Sequence, residues 1–429
     1  MPPSLESRTL RKLNIRILPF VFFLYVISFL DRINIGFAAL TMNRELAITS
    51  QQFGLIAGIF FLSYSAFEVP SNLLLHKIGA RVWIARILLT WGFFASLTGF
   101  VHSVHQLLAV RFLLGVAEAG YFPGMLLYLT YWFPQKQQAR AISILLTGIP
   151  VTSILGAPLS GLILDHIHWL GFGSWRWLLI LEGVPAILCG FLAYFLLPGL
   201  PAQAKFLAPE EKNWLVAELA AEERKKLAAQ TISVAQVFFN PRVLHLSAAI
   251  FFLNVGMYTM SFWLPQIIKS LSTGGSNSHI GILVMIPHLA GAIAMLLVAR
   301  SSDRRLERRY HAAIPVLCGA CALLLLNSAG SLAASVLLLC VVAPGLYSFY
   351  GPFYSMPASL LTGYSSAAGL AFVASVGNLG GFVGPYAVGL LNQKTGNMRL
   401  GLTVVGLSML VSASLMLLFP KSAKSHTSS

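Results

Sequence analysis

Two pairs of charged residues stand inside stretches that are otherwise apolar. Asp31 and Arg32 are adjacent in the first such stretch, and Arg111 and Glu118 lie seven residues apart in another. An arginine fork can grip a carboxylate through two parallel hydrogen bonds. A neighbouring carboxylate competes for that fork until it takes up a proton. Protonating Asp31 or Glu118 leaves the group of four with net positive charge, which favours an anion. The chemistry suggested is proton-coupled binding of an organic anion. The plainer alternative is a neutral ion-pair network that only glues two helices together.

The stretches that carry these groups must be membrane helices. The chain has 429 residues, of which 57% are hydrophobic and only 10% charged, against about a quarter charged in soluble domains. So little charge cannot cover a water-facing surface of this size, and disorder is excluded equally. A spanning helix needs about 20 mostly apolar residues. Twelve segments qualify: 15–38, 52–76, 82–103, 106–131, 139–164, 175–197, 243–268, 279–299, 312–328, 332–355, 361–391 and 399–419. The first is not a removable signal, because it is long, carries Asp31 and Arg32, and lacks a small-residue cleavage pattern. The expected fold is an all-α polytopic membrane protein, with one six-helix bundle in 1–197 and another in 243–429. The polar stretch 198–242 joins them, and the order of its charges after Pro209 predicts a surface helix.

Seven residues is nearly two helical turns, so Arg111 and Glu118 share a face. Glu118 lies about 18 Å into helix four at 1.5 Å per residue, and Arg32 just past the middle of helix one. The four charges are therefore expected to meet near the midplane. A charge there costs at least about 2.5 kcal/mol, so such residues face a cavity or a partner.

The formal charge is +15, from 29 Lys+Arg against 14 Asp+Glu. Twenty-two of the 29 fall on one side if the N-terminus is placed inside, Lys226, Lys421 and Lys424 among them. By the positive-inside rule both termini are then cytoplasmic, and the excess needs no nucleic acid.

Other polar groups within the spans read more plainly. Glu68 before Pro70 and Glu182 after Trp175-Arg176-Trp177 are expected in packing and hydrogen-bonding roles, and His288 as a satisfied core histidine. Cys318 and Cys321 form a CxxC without a second pair or a nearby histidine, so they read as small apolar helix residues. No metal cluster, no cofactor motif and no nucleophile set appears. An enzyme is not expected.

The two halves echo each other. The loop from His76 to Arg81 corresponds to that from Ser302 to Arg309. Gly156-Ala157-Pro158 in helix five corresponds to Gly384-Pro385 in helix eleven. A duplicated six-helix unit with a site between its halves is the pattern of many transporters.

The run Phe29-Leu30-Asp31-Arg32-Ile33-Asn34-Ile35-Gly36-Phe37-Ala38 resembles helix one of the anion:cation symporter family of the major facilitator superfamily. Arg111-Phe112-Leu113-Leu114-Gly115-Val116-Ala117-Glu118-Ala119-Gly120, continuing through Pro123-Gly124 to Tyr131-Trp132-Phe133-Pro134, resembles its helix four. Phe262-Trp263-Leu264-Pro265, Gly351-Pro352-Phe353 and Asn378-Leu379-Gly380-Gly381 extend the likeness over nearly the whole chain. The resemblance implies the major facilitator fold, alternating access and import of a small organic carboxylate by proton symport. It makes Asp31 and Glu118 the proton carriers and Arg32 the ligand of the substrate carboxylate. Tyr64 and Asn378 become polar neighbours of that carboxylate, and Arg111 tunes the carboxylates. Lys77, Gly79 and Arg81 resemble the superfamily's gating loop, with His76 where an aspartate is usual. Asp303, Arg304 and Arg308 form the second copy.

Protons would be the coupling ion, with no cofactor. The partners would be a small anion and the lipid bilayer, in a monomer of a bacterial inner membrane. The nearest members carry tartrate, sugar acids such as rhamnonate, or 4-hydroxyphenylacetate. Phe29, Ile149, Tyr258, Tyr347, Tyr350 and Tyr354 lean towards an aromatic or sparsely hydroxylated acid. Rival readings are a proton-coupled exporter of drugs, which Arg32 and Arg111 disfavour for cations, and an uncoupled facilitator.

Overall fold

In lipid a chain must satisfy its own backbone hydrogen bonds, and apolar helices do so within one segment. The protein, seen in a computed structural model that describes residues 4–228, 234–272, 274–360 and 364–420, forms a helix in each predicted span. The twelve spanning helices are α1 Leu5–Glu45, α2 Ser50–Ile78, α3 Ala80–Phe100, α4 Val104–Thr130, α5 Gln135–His166 and α6 Ser174–Leu196, then α7 Pro241–Leu271, α8 Asn277–Arg305, α9 Arg309–Ser328, α10 Leu332–Met356, α11 Gly369–Thr395 and α12 Arg399–Leu418. The joining stretch holds a further helix, Pro209–Ala228, with Glu210 and Glu211 in its first turn. Lys421 and Lys424 lie outside the described residues, as does the side chain of Lys226.

Two helices depart from expectation. α1 begins ten residues early, because Ser4 caps a first piece, Leu5–Arg16, by accepting from the Ser7 amide at 3.2 Å. Proline, which has no N–H, then opens the longer piece Leu18–Glu45. α4 is not one helix. It runs from Val104 to Glu118, breaks, and resumes from Tyr121 to Thr130.

The joining helix and the N-terminal piece share one face of the protein, since Lys12 Nζ donates to Glu211 Oε2 at 2.7 Å. Burial pushes the Glu211 carboxyl up, but the hydrogen bonds from Lys12 and the Ala208 amide prevail and hold it below the usual range. We call this side the linker face.

On the opposite face the two halves close against each other. α2 and α11 run antiparallel with backbones in contact. A Cβ on Gly54 would stand 2.5 Å from the Pro385 carbonyl oxygen. Small residues permit such approaches where lipid offers helices no hydrophobic drive to associate. Ala157 likewise lies against Gly281 of α8. Ala157, Pro158 and Pro385 of the echoed motifs thus stand at the contacts between halves, while Gly156 packs against Leu30 and Gly384 against Val255 of their own halves.

Polar bonds complete this seal. Asn392 Nδ2 donates to Ser50 Oγ at 2.9 Å, and Lys269 Nζ to the Leu40 carbonyl at 3.2 Å. The strongest is a clasp at Asp165, in the last turn of α5. Its Oδ1 accepts from the Asn277 amide at 3.1 Å and from Asn277 Nδ2 at 2.8 Å. Its Oδ2 accepts from the Ser278 amide at 2.7 Å and from Ser278 Oγ at 2.6 Å. One carboxylate so caps the N-terminus of a helix in the other half, where the helix dipole favours negative charge. Asp165→Ala is therefore expected to loosen the seal. Alkylation from the opposite face of a cysteine placed at Ser261, in a background without the native cysteines, should speed up severalfold. Labelling at the parent rate would show that the clasp contributes nothing to closure.

Candidate functional site

The break in α4 is what sets Glu118. Ala119 leaves the helix and Gly120 takes φ +83°, a left-handed conformation that glycine adopts at no cost. Pro123 then stands in the first turn of the second piece, where its missing N–H is not needed. Glu118 is thus the last residue of a half-helix, projecting into the interior. Gly115, one turn earlier, lets α4 lie directly on α2: a Cβ there would meet Ser63 Oγ at 2.1 Å and the Phe60 carbonyl at 2.3 Å. This contact brings Glu118 beside Phe60 and Tyr64.

Arg32 meets Glu118 across the gap between α1 and α4. Its Nε donates to Glu118 Oε1 at 3.1 Å, and one terminal nitrogen donates to the same oxygen. Both residues are buried, at 8% and 1% exposure. The guanidinium is caged by aromatic rings, with centroids at 5.0 Å for Phe29, 5.5 Å for Phe60 and 5.3 Å for Tyr64. Cation–π attraction strengthens when the groups are desolvated. The second half contributes Tyr258, whose hydroxyl lies close to Arg32. Behind it the Tyr350 hydroxyl donates to Asn254 Oδ1 at 2.8 Å, and Tyr354 stacks on Tyr350 with centroids 6.1 Å apart. Aromatic side chains from both halves therefore surround one buried cation.

The four charges lie within electrostatic reach of one another, but only Arg32 and Glu118 are in direct contact. Asp31 and Arg32 are neighbours in sequence, so their side chains leave α1 about 100° apart. Asp31 turns into the first bundle, where its Oδ1 accepts from Asn34 Nδ2 at 3.3 Å. Asn34 also lies close to Glu182, and Glu182 Oε1 accepts from Ser160 Oγ at 2.8 Å. Glu182 lies more than two turns inside α6, beside Asp31, rather than near the outer surface. Arg111 is buried at 2% exposure and sits over the far side of the cage, 5.3 Å from the Phe60 centroid. It makes no ion pair among the described residues, and its Nε and one terminal nitrogen have no hydrogen-bond partner. The expected four-charge cluster is thus a single ion pair, Arg32–Glu118, with Asp31–Asn34–Glu182 on one side and Arg111 held by Phe60.

The remaining expected residues are spread over the cavity wall and the linker face. Asn378 is half-buried on α11, near Glu68 of α2. Glu68 is not packed within its own bundle, since Ser375 Oγ of α11 donates to its Oε2 at 2.6 Å. His288 is satisfied by Tyr347, with Nδ1 2.8 Å from the hydroxyl. In the first linker-face loop, Lys77 lies in the last turn of α2, Gly79 joins α2 to α3, and Arg81 Nε donates to the Tyr194 carbonyl at 2.5 Å. In the second loop, Asp303 is paired with Arg308, whose guanidinium also reaches Ser302 Oγ at 3.0 Å, while Arg304 is exposed. Each loop is therefore tied to its own half.

Comparison with known proteins decides the family. Residues 21–385 match the Major Facilitator Superfamily. The chain belongs to that superfamily. A protein named as a tartrate transporter in Agrobacterium vitis is 42% identical over 423 residues, 99% of this chain and 97% of its own length. The metabolite transport protein NicT of Pseudomonas putida is 38% identical over 95% of this chain and 94% of its own. The fold matches the xylose transporter XylE from E. coli with a TM-score of 0.78 over 95% of this chain and 98% of that one, at 14% identity. This protein is thus a multi-pass membrane transporter of the Major Facilitator Superfamily, with twelve helices and no enzymatic relatives among those compared. The transporter has two features that no sequence motif announced: the link from Glu68 to α11, and the Asp31–Asn34–Glu182 chain. The α4 break had a signal in Gly120 followed by Pro123.

Proposed function

We propose that this transporter imports a small organic carboxylate together with protons, by alternating access, with the linker face in the cytoplasm. The observation that carries the reading is the buried Arg32–Glu118 pair. Glu118 occupies the Nε edge of the guanidinium through one oxygen. A substrate carboxylate needs that same fork, so the two anions compete for it. When Glu118 takes up a proton, Arg32 is released as an uncompensated buried cation, which favours an anion from outside. Asp31, in its own polar chain with Glu182, serves as a second proton carrier, and Arg111 holds the local potential positive. Tyr64 and Asn378 offer the bound carboxylate further hydrogen bonds.

The orientation follows from the basic residues concentrated on the linker face and the positive-inside rule. Phe29 at the cage, with Tyr258, Tyr350 and Tyr354 opposite, supports an aromatic or sparsely hydroxylated acid. Ile149 is buried and apolar on α5. The relatives named for tartrate and for metabolite transport are in keeping with organic-acid cargo.

The test is uptake by proteoliposomes with an inward proton gradient, offered tartrate, rhamnonate and 4-hydroxyphenylacetate in turn. At least one is expected to accumulate several-fold over its equilibrium level, and dissipating the gradient should abolish the accumulation. Saturable uptake indifferent to the gradient would overturn symport in favour of a facilitator. Thermal stabilisation by a cationic dye and by none of the acids would favour an exporter.

A further inference from the structure

α2 and α11 form a ladder between the two halves. Their paired residues keep one antiparallel register: Ser50 with Asn392, Gln51 with Tyr386, Gly54 with Pro385, and Glu68 with Ser375. The first three rungs belong to the sealed opposite face. The last does not. Glu68 lies 18 residues after Ser50, about 27 Å along α2 at 1.5 Å per residue. That is one turn past Tyr64, on the linker side of the Arg32 cage.

Glu68 is buried at 3% exposure, and no cation lies in ion-pair range of it among the described residues. Its hydrogen-bond partner comes from the other half: Ser375, at 2.6 Å, with Asn378 nearby on the same helix. Those two are three residues apart on α11 and so share a face. A buried carboxylate is costly unless its lone pairs are satisfied. Separating the halves at this level therefore requires the group to lose its Ser375 bond or to admit water.

We propose that Glu68 is a positioning residue: it ties α11 to α2 on the linker side of the site and fixes the segment of α11 that carries Asn378. The tether stands on its own geometry. Its effect on substrate rests on the carboxylate reading given above. Substrate bridging Arg32 and Asn378 pulls on the same segment of α11 that Glu68 holds, so occupancy of the site and closure of the linker side become linked.

The experiment reads the tether without substrate. Spin labels are placed on the linker face at Lys136→Cys in the first half and Arg305→Cys in the second, after replacing Cys189, Cys318, Cys321 and Cys340 by alanine. Both label positions are exposed. Glu68→Ala and Ser375→Ala should each move the distance distribution to longer values. Glu68→Gln keeps an acceptor for Ser375 and should restore the parent distribution, whereas Glu68→Met, which fills the volume without an acceptor, should not. If Glu68→Ala does not fold, Ser375→Ala carries the test, because its half-buried hydroxyl can be removed without leaving a large void. Parent distances in both alanine variants overturn the proposal, as does Glu68→Gln behaving like Glu68→Ala. In a parallel arm with tartrate as probe, Glu68→Ala should raise KM about tenfold with a smaller change in maximal rate. A parent protein that takes up no tartrate counts against that choice of cargo alone, and the distances still decide the tether.

Discussion

Arg32→Ala should reduce carboxylate uptake at least about a hundredfold and abolish stabilisation by the same anion. Two hydrogen bonds between ions are lost, each worth about 1.5–3 kcal/mol, and about 1.4 kcal/mol is tenfold in affinity. The loss is of binding rather than of the later steps, so no excess of substrate within the assay range should restore the rate. A second effect falls on the protein. Glu118, at 1% exposure, loses the donor that holds both of its Arg32 bonds. Removing one partner of a buried pair costs about 3–5 kcal/mol if the other stays charged. Glu118 escapes part of that cost by taking up a proton, so the variant is expected to fold with a lowered melting temperature. Arg32→Lys separates charge from geometry. The ammonium keeps the positive charge but loses the planar fork and much of the contact with Phe29, Phe60 and Tyr64. Its uptake should fall between the parent and Arg32→Ala. Undiminished transport by Arg32→Ala, measured with the same proteoliposomes, would remove Arg32 from the substrate site.

Glu118→Gln should divide transport into two behaviours. The amide keeps an oxygen able to accept from Arg32 Nε, so the geometry of the pair survives. It can neither carry nor release a proton. The site then resembles the protonated state permanently: Arg32 is uncompensated and binds an anion readily. Gradient-driven accumulation is expected to fall at least tenfold, while exchange of labelled for unlabelled substrate across the membrane persists at a rate comparable to the parent. The apparent KM for exchange should fall, because the competing anion is gone. The pair of assays distinguishes this from simple damage, which lowers both. Accumulation at the parent level under the same gradient would rule out Glu118 as a proton carrier and leave Asp31, with Glu182 behind it, as the remaining pathway.

Much of this was legible before any fold was known. Twelve apolar runs of spanning length leave the chain no structure but helices, since lipid offers backbone groups no other partner. The cost of intramembrane charge singled out Asp31, Arg32, Arg111 and Glu118 as residues needing a cavity or a partner. The proline at α1 and the Gly120–Pro123 pair show where such reading stops short. Both are visible in the sequence, but apolar content alone runs straight through them, and only the backbone shows α4 ending at Glu118.

What the sequence by itself determined was therefore the number of spanning helices and the identity of the charged residues inside them. Partner choice was decided by tertiary structure alone. Adjacent residues on a helix diverge by about 100°, so Asp31 and Arg32, next to each other in the chain, enter different polar neighbourhoods. Glu68 and Ser375 are 307 positions apart, yet they meet at 2.6 Å because close backbone packing sets the register of α2 against α11. Hydropathy records how much a residue dislikes lipid. It does not record which neighbour the packing of small residues will bring within reach.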